Sequence, residues 1–256
     1  YGERPDAAEV ETLVVRYGVG AIGMVHGATS TCSMNPIEEI GAVAHRHGLP
    51  FIVDAISSVF VDPIDLETID VLVCSTNKGL HSNPDLGFVL VRRSLLELVS
   101  QRPGRIPYLD LGEAYLAQRK GSHPYTINVR ALLEFEAALD VLDAEGGVAG
   151  RHATYAARTT LLRAGYERLG LERFEKEGMP LQSIGTALYL PDGVAYAPLA
   201  EALAAWDEGG ECYEIYAAQG KLSGSVFRIF NMGHYELASY ERFLVAFETV
   251  LSSLRS

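Results

Sequence analysis

Cys74-Ser75-Thr76-Asn77-Lys78-Gly79-Leu80 follows directly on the apolar run Ile69-Asp70-Val71-Leu72-Val73. The run reads as a strand over 69–74, and the stretch after it as a loop that presents a lysine. Upstream, Phe51-Ile52-Val53-Asp54-Ala55 reads as a second strand, ending on an acid. Two strands that end on chemically active side chains indicate a sheet with its ligand site at one edge, so the surrounding pattern decides the fold.

Working outward, residues 6–17 predict a helix with Val10, Leu13 and Val14 on one face. Ala21 to His26 predicts a short strand. Residues 33–47 predict a helix with Asn35 as N-cap, Pro36 at the first turn and Glu38 completing a capping-box-like start. Its apolar stripe is Ile37, Ile40, Val43 and Ala44, and Gly48 ends it. A further strand is predicted over 86–91. Strands alternating with helices imply an α/β layer with a largely parallel sheet. In such sheets ligands gather at the carboxyl ends of strands. His26, Asp54 and the Ser75–Lys78 loop all fall there.

The second half reads differently. Residues 129–142 predict a long helix carrying Leu132, Leu133, Phe135, Ala138, Leu139 and Leu142. Glu145-Gly146-Gly147 breaks it, and residues 151–168 predict another helix. A strand over 184–190, a helix over 196–206, strands over 212–216 and 226–230 and a helix over 238–254 make a smaller α+β unit. The expected division is a large domain over 1–145 and a small one over 146–256.

The chain has 256 residues, a net charge of −12 and 48% apolar residues, enough for a sizeable core. The acidic balance argues against nucleic-acid or anionic-membrane partners. No apolar run approaches the ~20 residues that span a bilayer, and no signal peptide is visible. Cys32, Cys74 and Cys212 are widely spaced, which points to a reducing cytoplasm rather than a disulfide framework. No metal-ligand spacing, Walker loop or GxSxG motif is present.

Lysine forms Schiff bases with aldehydes, and a carboxylate can keep a pyridine nitrogen protonated. Lys78 and Asp54 at neighbouring strand ends therefore suit pyridoxal phosphate. Taken singly, Lys78 reads as a surface lysine in a loop, and Asp54 reads equally as a loop cap. The hydroxyls of Thr29, Ser30 and Thr31 could bond a ligand, although turn satisfaction explains at least two of them. Ser57 and Ser58 pose the same choice. Arg228, in Val226-Phe227-Arg228-Ile229-Phe230, is a guanidinium within an apolar strand, which calls for an anionic ligand or a local acid. Asp62, Asp65 and Asp70 read as loop and cap residues, and Trp206 as packing.

The ordered motifs resemble class V aminotransferases of pyridoxal-phosphate fold type I, most closely the 2-aminoethylphosphonate–pyruvate transaminase group. His26-Gly27-Ala28-Thr29-Ser30-Thr31 with Asn35-Pro36-Ile37 is similar to the family's H-x-E-T-S-T-G-x-x-N-P-I. Val53 to Ser58 resembles its V-D-A-x-S-S, and Ser75 to Leu80 its S-x-N-K-G-L. Pro124-Tyr125-Thr126, Leu181-Gln182-Ser183, and Gly220-Lys221-Leu222 through His234 resemble its later segments. The resemblance implies that Lys78 is the Schiff-base lysine and that Asp54 pairs with the pyridinium nitrogen. It places Thr29 near the cofactor's 3-oxygen, Ile56 on the ring face and Asn77 just before the lysine. Thr126 would reach the cofactor phosphate of a partner subunit, implying a homodimer, and Arg228 would bind the substrate's acidic end. The implied reaction moves an amino group from a small amine with an acidic tail to a 2-oxo acid, pyruvate, giving alanine.

The pattern departs at Ala28, Cys32, Ser82 and Asp85, where the family has an acid and glycines. These departures leave a lyase, an alanine–glyoxylate type transaminase or a non-catalytic member as alternatives. A cysteine desulfurase is disfavoured, since no catalytic cysteine loop is evident. The family also carries a phosphate-binding Gly-Ser-Gly-Thr-like turn before the point matched by Tyr1, so residues upstream of this sequence are expected.

Overall fold

Phe51 and Val53 are fully buried whereas Ile52 between them is 37% exposed. That alternation is a strand with one face on a core. The computed structural model describes residues 3–102, 104 and 106–255. Helix α1 (Ala7–Tyr17) starts at Asp6, whose carboxylate accepts from Glu9 N, and stops at Gly18, which adopts the left-handed φ of 58°. Strand β1 (Ile22–Val25) leads into a small hairpin, β2 (Gly27–Ala28) and β3 (Ser33–Met34), and then helix α2 (Ile37–Arg46). Next come β4 (Phe51–Asp54), β5 (Val71–Ser75) and β6 (Gly87–Val91).

The sheet order is β1-β4-β5-β6. The first three strands are parallel and β6 is antiparallel to β5. The largely parallel expectation holds except at that edge strand. Ile37, Ile40 and Ala44 of α2 bury against Phe51, Val53, Leu72 and Cys74 of the sheet. The foreseen capping box does not form. Helix α2 begins after Pro36 with no side-chain cap, because the Asn35 amide donates instead to the Val25 carbonyl at 2.7 Å. That bond ties the helix start to the end of β1.

Helices α3 (Arg93–Val99), α4 (Leu111–Gln118) and α5 (Val129–Ala144) follow. On α5, Leu142 is buried and Phe135 packs on Phe88, whereas Leu132, Leu133 and Leu139 stay exposed, so only part of the apolar stripe read from the sequence faces a core within this chain. The chain turns at Gly146, with φ at 93°, into α6 (Gly147–Arg168), which starts earlier than its periodicity implied. The remaining elements are β7 (Gly185–Tyr189), α7 (Tyr196–Ala204), β8 (Tyr216–Ala217), β9 (Val226–Phe230) and α8 (Leu237–Arg255). The antiparallel sheet β7-β9-β8 packs with α6, α7 and α8 around Leu188, Phe227, Tyr166 and Phe247, and Trp206 packs at the margin of that core. Among the described residues no helix is long and apolar enough to cross a membrane.

Candidate active site

Parallel pairing brings the carboxyl ends of β1, β4 and β5 side by side, with Val25 opposite Asp54 and Asp54 opposite Val73. Backbone bonds continue this register past the strands: His26 N donates to Asp54 O at 2.8 Å and Ala55 N to Val73 O at 2.9 Å. Asp54 is half-buried, and its Oδ1 accepts from Ile56 N at 3.0 Å in an Asx turn. Oδ2 has no hydrogen-bond partner among the described residues. The loop-capping and ligand-binding readings of Asp54 are thus compatible, one for each oxygen.

Lys78 lies in the bend after β5 and is half-buried. Its amine makes no hydrogen bond or ion pair among the described residues. The loop beneath it is tied closely. His81 N donates to Lys78 O, Ser82 N to Thr76 O, and the Thr76 hydroxyl to the carbonyls of Asn83 and Leu86. Asn77 Oδ1 accepts from the Ser75 hydroxyl. Gly79 is pressed against the preceding segment: a Cβ there would lie 2.3 Å from Val59 O.

The hairpin hydroxyls divide differently from the sequence reading. Thr31 bonds Ser33 within its own turn. Thr29 Oγ1 instead meets Ser57 Oγ at 3.2 Å, joining the hairpin to the loop after Asp54, and Ser30 donates to Gln219 Oε1 at 2.7 Å. Two of the three therefore reach across the fold. Ser58, fully buried, sits 2.9 Å from Nδ1 of His26. Burial lowers the His26 pKa to about 4, which keeps the ring neutral near pH 7.

Arg228 is buried on β9 and pairs with no carboxylate among the described residues. Nε and Nη2 donate to Ala217 O at 3.1 and 2.6 Å, and Nη1 donates to Thr29 O at 2.9 Å. Each Nη nitrogen keeps a second N–H for an anion. Ile56 is half-buried beside Asp54 in the same turn. Thr126 is not brought to this cluster; it lies in an exposed stretch before α5.

Two buried features escaped the sequence reading. Asp62, read as a loop acid, accepts from Ser183 Oγ at 2.6 Å across to the segment that opens the second sheet. Burial raises its pKa. Arg151 is 1% exposed, with Nη1 donating to the Gly79 carbonyl. Its signal was present in the spacing: Arg151, Tyr155, Arg158, Thr159, Leu162 and Tyr166 form one buried stripe along α6.

Asp54 ends β4 and Lys78 follows the adjacent β5, while Thr29 links the hairpin after β1 to Ser57 and, through its carbonyl, to the buried guanidinium of Arg228. This donor set fits an aldehyde-bearing pyridine and an acidic substrate. Among the described residues no group of side chains could hold a metal ion.

Comparison with known proteins agrees with this chemistry. The family model for aminotransferase class V matches residues 4–226. A 2-aminoethylphosphonate–pyruvate transaminase from Salmonella agona (strain SL483) is 35% identical over 254 residues, covering 97% of this chain and 67% of its own length. An aspartate aminotransferase of subgroup IV from Thermus thermophilus superposes with a TM-score of 0.85 at 28% identity, over 99% of this chain and 69% of that one. A pyridoxamine–pyruvate aminotransferase from Mesorhizobium loti, at 24% identity and a TM-score of 0.85 over 100% of this chain and 66% of that one, shares the fold. The chain therefore belongs to the class V aminotransferase family, fold type I enzymes that depend on pyridoxal phosphate.

Proposed function

We propose that the chain transfers the amino group of a small amine bearing an acidic tail, of the 2-aminoethylphosphonate kind, to pyruvate. The observation that supports this reading is that Asp54 and Lys78 follow adjacent parallel strands while Thr29 ties the hairpin after β1 to Ser57, in the loop after Asp54, and to Arg228. The 35% identity to a 2-aminoethylphosphonate–pyruvate transaminase supports the substrate class.

When bound, pyridoxal phosphate supplies an electron sink for the carbanion formed at the amine-bearing carbon. Lys78 would provide the amine that holds the cofactor, and the same amine would move the proton at the amine-bearing carbon. Asp54 would hold the ring nitrogen protonated through the oxygen its turn leaves over, Thr29 would offer its hydroxyl to the phenolic oxygen, and Ile56 would pack on the ring. Asn77 sets the backbone before the lysine. Arg228 meets the acidic tail with its remaining N–H groups, as guanidinium suits carboxylate and phosphonate alike. Thr126 serves the phosphate of a second copy in a homodimer.

The test is visible absorbance after addition of pyridoxal phosphate, compared with Lys78→Ala, followed by a donor panel with pyruvate read as alanine. A colourless wild type sinks the proposal. Ammonia without alanine replaces the transaminase with a lyase.

A further inference from the structure

Arg151 is a buried guanidinium on the second turn of α6. A buried charge of this kind persists only with partners. Nε donates to Glu145 Oε2 at 2.5 Å and Nη1 to Gly79 O at 2.5 Å. Nη2 has no hydrogen-bond partner among the described residues. Glu145 is the residue that ends α5, and Gly79 is the residue after Lys78. The guanidinium therefore bridges the break between two helices and the backbone that carries the lysine.

The neighbouring contacts converge on the same loop. His152, next on α6, has Nδ1 2.8 Å from Val61 O. Val61 belongs to the 59–61 segment against which Gly79 is pressed. One turn further, Tyr155 OH meets Nε2 of His81 at 2.6 Å and accepts from Gly233 N at 3.4 Å. Arg158 lies over the rings of Tyr155 and Tyr240 and donates to the carbonyls of Gly233 and Tyr235. One face of α6 thus grips the lysine loop at two points, Gly79 and His81, and the turn after β9 at two more.

We propose that Arg151 is a positioning residue for Lys78: its guanidinium, anchored by Glu145, fixes the Gly79 carbonyl and with it the backbone that presents the amine. This rests on the reading of Lys78 as the cofactor lysine. Arg151 touches neither substrate nor cofactor, and its effect passes through the loop.

The test uses the full chain without added cofactor. Amide hydrogen exchange is followed for Thr76, His81 and Ser82, each of which has a hydrogen-bonded N–H, against β7 as reference. In Arg151→Met, which keeps the apolar stem, exchange in the loop rises about tenfold or more while β7 is unchanged. Arg151→Lys, which keeps the charge and one donor, gives a smaller rise. Glu145→Ala provides a second variant should Arg151→Met fail to fold, and it raises loop exchange in the same place. Acetylation of Lys78, measured against Lys120, Lys176 and Lys221 in the same sample, changes in parallel. A folded Arg151→Met or Glu145→Ala with wild-type loop exchange overturns the proposal, as does a rise spread evenly over β7. With pyridoxal phosphate added, the pH midpoint of the visible band shifts in Arg151→Met. A wild type without any band refutes the Lys78 reading and the positioning role with it. A wild-type band alongside unchanged loop exchange refutes the positioning role alone.

Discussion

The guanidinium of Arg228 donates to the carbonyl oxygen of Thr29 at 2.9 Å, joining residues 199 positions apart. The bond couples the second sheet to the hairpin after β1, whose Thr29 hydroxyl also meets Ser57 in the loop after Asp54. Here each Nη keeps one N–H, so the side chain can brace two loops and still bind an anion.

Arg228→Ala is expected to weaken binding of the acidic substrate by about 2 kcal/mol or more, roughly a thirtyfold rise in KM. It also leaves the Ala217 and Thr29 carbonyls without their donor, so the protein loses stability. Arg228→Lys keeps the charge and loses the fork, so KM still rises. Steady-state kinetics with donors that differ only in the acidic tail check this. An unchanged KM in both variants removes Arg228 from the substrate site.

Asp54→Asn tests the oxygen that the turn leaves over. The amide oxygen of Asn can still accept from Ile56 N, so the turn survives, but the negative charge is lost. The expected result is retained visible absorbance with added cofactor and a fall in kcat of about a hundredfold or more. Circular dichroism and the absorbance spectrum are read beside the rate. Full activity in a folded Asp54→Asn contradicts the assigned pairing.

Gly79→Ala addresses the loop itself. The new methyl would lie 2.3 Å from Val59 O and 2.6 Å from Val61 Cγ2, so the lysine loop must shift. A destabilisation of about 2 kcal/mol follows, roughly a 4–8 °C drop in Tm. Gly23→Ala, with nothing within 4 Å of its added Cβ, is the control. Equal melting temperatures for the two variants would show that the loop is not packed as described.

The alternation of strands and helices, the largely parallel sheet and the placing of Asp54 and Lys78 after neighbouring strands were legible because they depend on periodicity and local turn chemistry. Cross-fold contacts were not. Asn35 was read as a helix cap because its local neighbours allow it, yet the Val25 carbonyl takes its amide. Ser30 looked like a turn hydroxyl, yet it finds Gln219, 189 positions on. Leu132, Leu133 and Leu139 made a convincing buried stripe, but their exposure depends on what packs on α5, which local pattern does not encode. Arg151 shows the opposite case, where an arginine in an apolar helical stripe gave a signal that composition-based reading discounts.

His26 and His81 make the fold sensitive to mild acid. Burial lowers each pKa from the ordinary 6.5 to about 4, and Arg151 and Arg158 add repulsion at His81, partly offset by Glu145. Between pH 6.5 and 4 the unfolded chain therefore binds protons that the folded chain resists. Stability is fully present above pH 6.5, falls as pH drops and levels off for these groups below about 4. His26 contributes on the order of 3 kcal/mol over that window, and His81 acts in the same direction with a smaller contribution because solvent screens it. Asp62, whose pKa burial raises, acts with the opposite sign. Urea midpoints measured from pH 7 to pH 4 should fall, and His26→Asn with His81→Asn should flatten the curve. Asparagine tolerates the left-handed φ of 63° at position 81, so backbone strain does not confound that variant. A double variant whose midpoint falls as steeply as the wild type assigns the acid sensitivity to other groups.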